Sequence, residues 1–157
     1  MPSVLARCSR LALAIAWELP QSSLGLANLV LEVVRRGVAR VTYEHDRVFV
    51  ELRASRAISL GHFVFWSTVD SAFVRVTPHN KAHEYGHARQ SRMLGPLYLL
   101  VVGLPSSMRV AYAVAQYAIT KRPWEGYYDG FPESWADRLG GVPPRPTRSW
   151  RRAPRRR

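Results

Sequence analysis

The run His83-Glu84-Tyr85-Gly86-His87 constrains this chain more than any other feature. It lies within residues 77–94, where Thr77 is placed to cap a helix, Pro78 occupies the first turn and Gly95-Pro96 ends it. Positions i and i+4 share one helix face, so both imidazoles can reach a single ion. Between residues 81 and 92 there is no aliphatic side chain larger than alanine. A helix that forgoes an aliphatic core stripe breaks the local pattern, as functional sites do. Taken singly, either histidine reads as a hydrogen-bonded core or surface residue; the helix around them argues for a metal. Cys8 is the sole cysteine, so no cysteine-held zinc and no intrachain disulfide can form. Any metal falls to histidine and carboxylate.

A catalytic zinc takes three protein ligands and keeps a fourth position open. Glu133-Ser134-Trp135-Ala136-Asp137 supplies the candidate for the third, on a short helix opened by Pro132 and ended by Gly140-Gly141. Glu133 and Asp137 are again four residues apart and face one way. Zn2+ is therefore expected between His83, His87 and Glu133. Asp137 is expected to accept a hydrogen bond from the outer nitrogen of a ligand histidine and so fix its tautomer. Glu84, which is not a ligand, is expected to take a proton from a zinc-bound water. A shuffled chain of this composition would carry H-E-x-x-H in roughly 1% of cases, and E-x-x-A-D is about equally rare. The pair together is a poor candidate for chance. Two rivals for the third position exist: His79, one turn before His83, and Glu125, in a Gly-rich loop without a carboxylate four residues on. His45 and His62 read as turn or surface residues.

These two segments resemble the zincin metallopeptidases, specifically the gluzincin branch, whose third ligand is a glutamate on a second helix; thermolysin-type enzymes share that scheme. Glu133-Ser-Trp-Ala-Asp-Arg-Leu-Gly140 is similar to the E-x-x-A-D-R-L-G segment of membrane-bound zinc proteases of the CAAX-processing and heat-shock type. Gln90-Ser-Arg and Leu94-Gly-Pro-Leu-Tyr98 resemble short bacterial proteins built on the same motifs. The resemblance covers residues 77–142. It implies His83 and His87 as ligands, Glu84 as general base, Glu133 as third ligand, Asp137 as orienting residue and a peptide or protein as substrate. The chain also departs from it. The 46 residues from His87 to Glu133 are largely apolar, and no histidine follows His87. The oxyanion stabiliser is then left among Tyr127, Tyr128 and Arg122. Zincins hold peptide along an edge strand above the metal; residues 62–66 are the candidate, with ordinary core packing as the plainer reading.

The rest of the chain predicts an α+β fold: a compact zincin-like domain over residues 1–142, preceded by apolar N-terminal helices. Residues 4–19 and 24–36 read as helices broken at Pro20 and stopped by Gly37. Residues 41–43, 47–52 and 62–66 are rich in β-branched and aromatic side chains, with His45-Asp46 and Gly61 as turns, and predict a small antiparallel sheet. Residues 72–76 offer a further strand. Residues 97–119 form an apolar helical region that Pro105-Ser-Ser107 is expected to interrupt, with Arg109 inside it.

Charge and hydropathy set the partners. The net charge is +12, but seven arginines lie in residues 145–157, leaving +5 for residues 1–144. Residues 143–157 alternate proline and arginine with almost no aliphatics and are expected to be a disordered tail. That tail is either solvated or a site for nucleic acid or anionic lipid. Arg7 and Arg10 before the apolar run of residues 11–17 imitate a secretory signal, but Glu18, Pro20 and Gln21 break the imitation. The expectation is a cytoplasmic protein associated with the inner face of the membrane. Cys8 is read as an inert helix thiol, with lipidation as the alternative. The functional expectation is a zinc metallopeptidase. The alternatives are a membrane-associated protein with a structural zinc site, and a protein binding nucleic acid or anionic lipid through its tail.

Overall fold

The computed structural model describes residues 16–74 and 78–145. The order of elements among them is α1 (Leu19–Val34), β1 (Val38–Glu44), β2 (Arg47–Leu52), β3 (Ile58–Leu60), β4 (Phe63–Trp66), α2 (Asn80–Leu94), α3 (Leu104–Thr120) and α4 (Glu133–Gly140). The fold is α+β. The predicted segment 4–19 and the cap residue Thr77 lie largely or wholly outside the described residues, as do residues 146–157 of the tail. Residues 16–17 are helical and residue 18 is a turn, so the break expected at Pro20 falls just before it and Pro20 opens the next helix. It occupies the first turn of α1, where its missing N–H is no loss.

The sheet is mixed rather than antiparallel. Its order is β1-β2-β4-β3, with β1–β2 and β3–β4 antiparallel and β2–β4 parallel. His45 and Asp46 both take positive φ, the geometry a tight hairpin between β1 and β2 requires. The parallel pair arises from β3, which precedes β4 and folds outside it, so β4 enters the sheet beside β2 in the same direction. Residues 72–74 form no strand, and residues 75–76 of that prediction are outside the described set.

The two sheet faces divide the core. Phe49 and Val64 pack on Ala88 of α2, while Val50, Leu52 and Phe65 pack with Leu29 of α1. Burial on both faces explains why β2 and β4 read as continuous apolar runs. α1 and α2 also meet through polar groups. Gln21 Nε2 donates to Ser91 Oγ (3.1 Å) and to the Gly95 carbonyl (2.9 Å), and Glu18 accepts from Arg47 (3.0 Å) and Ser91 (2.7 Å). Pro105 leaves the apolar region unbroken: a turn of π-helix over Leu99–Gly103 runs straight into α3. The wider π spacing just upstream accommodates a ring with no N–H to offer.

Candidate metal centre

α2 and α4 run antiparallel with their backbones in contact. A Cβ on Gly86 would lie 1.9 Å from the Ala136 carbonyl oxygen, and one on Gly140 would lie 2.0 Å from that of Ala82. One turn further, Gln90 Nε2 donates to the Pro132 carbonyl (3.1 Å). The pairs Ala82–Gly140, Gly86–Ala136 and Gln90–Pro132 advance one helical turn at a time along both helices. Only residues without a bulky side chain allow that approach. In the same register His83 meets Asp137, and His87 meets Glu133.

The three expected ligands come together. Glu133 Oε2 lies 3.0 Å from His83 Nε2 and 3.2 Å from His87 Nε2, and the three atoms are within 4.8 Å of one another. All three side chains are buried. His83 Nδ1 lies 2.6 Å from Asp137 Oδ1, the predicted orienting contact. His87 Nδ1 lies 2.7 Å from Gln90 Oε1, while the Gln90 amide nitrogen is used on Pro132. Both outer partners are acceptors, so each Nδ1 carries a proton, and each Nε2 faces Glu133 with a lone pair when its ring is neutral. Three acceptors facing one another cohere only around a cation or around extra protons. Two imidazoles and a carboxylate are a donor set that fits Zn2+.

The charges respond to this crowding. Burial opposes a charged His83, but its hydrogen bonds with Asp137 and Glu133 outweigh that and lift its pKa to about 9. Burial likewise favours neutral Glu133, yet the hydrogen bonds of His83 and His87 hold its carboxyl well below the usual range. Glu84 is pushed the other way: burial raises it against the pull of His87 and His83. A carboxylate with raised affinity for a proton beside a candidate metal suits a base.

Several contributors had no reading in the sequence. Ser59 Oγ lies 2.6 Å from the Glu84 carbonyl oxygen and 3.0 Å from Oε2, and Tyr98 donates to the Ser59 carbonyl (2.9 Å). Ser106 Oγ donates to Glu133 Oε1 (2.6 Å), which occupies one carboxylate oxygen and leaves the other for an ion. Arg145 braces Asp137 through Nε (2.5 Å) and a terminal nitrogen (2.8 Å), so the third residue of the predicted 143–157 tail is held against the domain. Gln90, three residues after His87 on one helix, could have been found from spacing. Ser59 and Ser106 reach the site only through tertiary contacts.

A cavity of about 790 Å³ adjoins the centre, lined by His83, Glu84, His87 and Glu133 together with Tyr127 and Tyr128. Burial holds both tyrosines above the ordinary tyrosine range, so they are neutral donors. Tyr128 stands edge-on to His83 at 5.1 Å. Arg122 is exposed and outside the cavity wall, which removes it as an oxyanion stabiliser. His79 occupies the position before α2 without a side-chain capping bond and is exposed, and Glu125 is exposed in its loop; neither joins the converging set. His45 sits in the β1–β2 turn, and His62 is half-buried with Nδ1 3.1 Å from Ser22 Oγ. The edge-strand candidate at residues 62–66 is overturned, because β4 lies inside the sheet. The edge beside Glu84 is β3. No family model matches the chain, and no curated protein or solved structure matches it either.

Proposed function

We propose that this chain is a zinc-dependent hydrolase, and specifically a metallopeptidase of the gluzincin kind. One observation carries the reading: His83 Nε2, His87 Nε2 and Glu133 Oε2 converge with both Nδ1 atoms already engaged, and Glu84 stands beside them on the cavity wall. His83, His87 and Glu133 hold the ion, Asp137 and Gln90 set the histidine tautomers, and Ser106 orients the glutamate. Zinc bound there supplies a Lewis acid that brings the pKa of water toward neutrality. Glu84 accepts the proton as water attacks an acyl carbon and passes it to the leaving group. Tyr127 and Tyr128 offer neutral O–H groups toward developing negative charge. β3 lines the cavity next to Glu84 through Ser59, whose carbonyl already accepts from Tyr98. The apolar share of the cavity wall, including Ile58, Leu60, Phe73 and Leu99, favours substrates with apolar side chains.

Glu84→Gln tests this reading, because it keeps the shape of the residue and removes the base. Zinc content should stay near one ion per chain while cleavage of an unstructured protein such as casein falls roughly 10²–10⁴-fold. His83→Ala should lose both metal and cleavage. Undiminished cleavage by Glu84→Gln removes Glu84 as the base. Loss of zinc or of folding in that variant moves the site to a structural role. Elemental analysis separates zinc from iron, which a two-histidine, one-carboxylate set also accepts.

A further inference from the structure

α1 is built inside out. It turns Gln21, Ser22, Gly25 and Glu32 to the interior, while Leu24, Leu26, Val30 and Val33 remain at least half exposed. A helix facing water distributes these residues the opposite way. Partners meet two of the buried groups inside: Gln21 Nε2 donates to Ser91 and Gly95, and Glu32 accepts from Arg56 (2.9 Å). The helical stretch Leu99–Thr120 is 22 residues long and buries only Val102 and Ala113, with 11% of its apolar 18-residue window buried. Leu100, Leu104, Met108, Tyr112 and Ile119 lie 54–84% exposed along it. The two stretches border one cavity: Asn28 and Glu32 of α1 and Leu100, Leu104 and Val110 of the second stretch line it. Soluble monomers rarely expose an apolar area on this scale.

We propose that the outer faces of α1 and α3 are seated in one leaflet of an anionic phospholipid bilayer. Charge selects that occupant. Glu32 is the sole acidic residue on either stretch, and it points inward. Each apolar stretch is followed at once by an exposed basic pair, Arg35-Arg36 after α1 and Lys121-Arg122 after α3. Apolar faces flanked by exposed cations match acyl chains bordered by anionic headgroups. The helices lie in the leaflet and do not cross it. Arg109, midway along α3, is held by the Gly126 carbonyl (2.7 Å), the Tyr127 carbonyl (2.9 Å) and the Trp124 ring (4.7 Å), and Ser106 is held by Glu133. One side of α3 is thus fastened along the domain and only the other is open to lipid.

The test reads each face separately, since the apolar and basic residues of 1–15 and the arginines of 146–157 offer a vesicle another point of attachment. In the full chain carrying Cys8→Ser, an environment-sensitive NBD probe is attached at Leu26→Cys, Val30→Cys, Met108→Cys or Ile119→Cys. The control is Ala39→Cys on β1, at the sheet edge farthest from β3. Vesicles of equimolar phosphatidylglycerol and phosphatidylcholine are added, with and without nitroxide-labelled lipid. The four outer-face probes should shift to the blue and be quenched severalfold by the nitroxide, while the control does neither. The proposal is overturned if the chain does not float with the vesicles. It is equally overturned if the chain floats with all four probes unquenched, or if the probes are already shifted without lipid in a protein of dimeric mass.

Discussion

At the residue scale, the account depends on which nitrogen of each histidine is free. Asp137 and Gln90 decide this by accepting from Nδ1, at 2.6 and 2.7 Å. Asp137→Ala removes one such acceptor and should weaken zinc affinity roughly 10–100-fold in a folded protein, read by competition with a chromophoric chelator. Unchanged affinity would reduce Asp137 to a partner of Arg145. Asp137 was legible because an i, i+4 pair of carboxylates is a local pattern. Ser106 was not legible. It lies 27 residues before Glu133, in an apolar run that gives no reason to single out a serine. Arg109 stands out in the sequence as a charge inside an apolar region, and its use is the capture of two loop carbonyls.

At the element scale, the centre exists because two helices touch through small residues. Alanine in place of a helical glycine ordinarily stabilises by about 1 kcal/mol. At Gly86 the added Cβ would meet the Ala136 backbone at 1.9 Å, where no side chain can rotate away. Overpacking of this kind costs about 1–3 kcal/mol, so the clash outweighs the propensity gain. Gly86→Ala should therefore lower the melting temperature and, by parting α2 from α4, weaken zinc binding; a variant that melts higher and binds zinc normally would refute the close-contact register. Both helices were readable from their end signals, Gly95-Pro96 for α2 and Pro132 with Gly140-Gly141 for α4. β3 was not readable. Three residues are too few to show a period, and Ile58-Ser59-Leu60 gains strand geometry only by pairing with β4. Missing β3 made the sheet look antiparallel and made β4 look like an edge.

At the scale of the whole molecule, the sheet is a partition with α1 on one face and α2 on the other, and the candidate metal centre lies on the α2 side against α4. The apolar helical regions were visible in the sequence as composition. Their orientation was not, because Glu18, Gln21 and Ser22 look equally like defects in a membrane segment and like polar groups buried against Arg47, Ser91 and His62. Tertiary partners decide between the two, and they lie 29 to 74 residues away in the bonds of Glu18 and Gln21. The central claim is that one zinc ion occupies the point where His83, His87 and Glu133 converge. Anomalous diffraction across the zinc absorption edge, from crystals of the full chain grown with equimolar zinc, tests it most directly. The account predicts a single peak about 2.0–2.2 Å from His83 Nε2, His87 Nε2 and Glu133 Oε2; density lacking a peak there, or a peak bound by other residues, would contradict it.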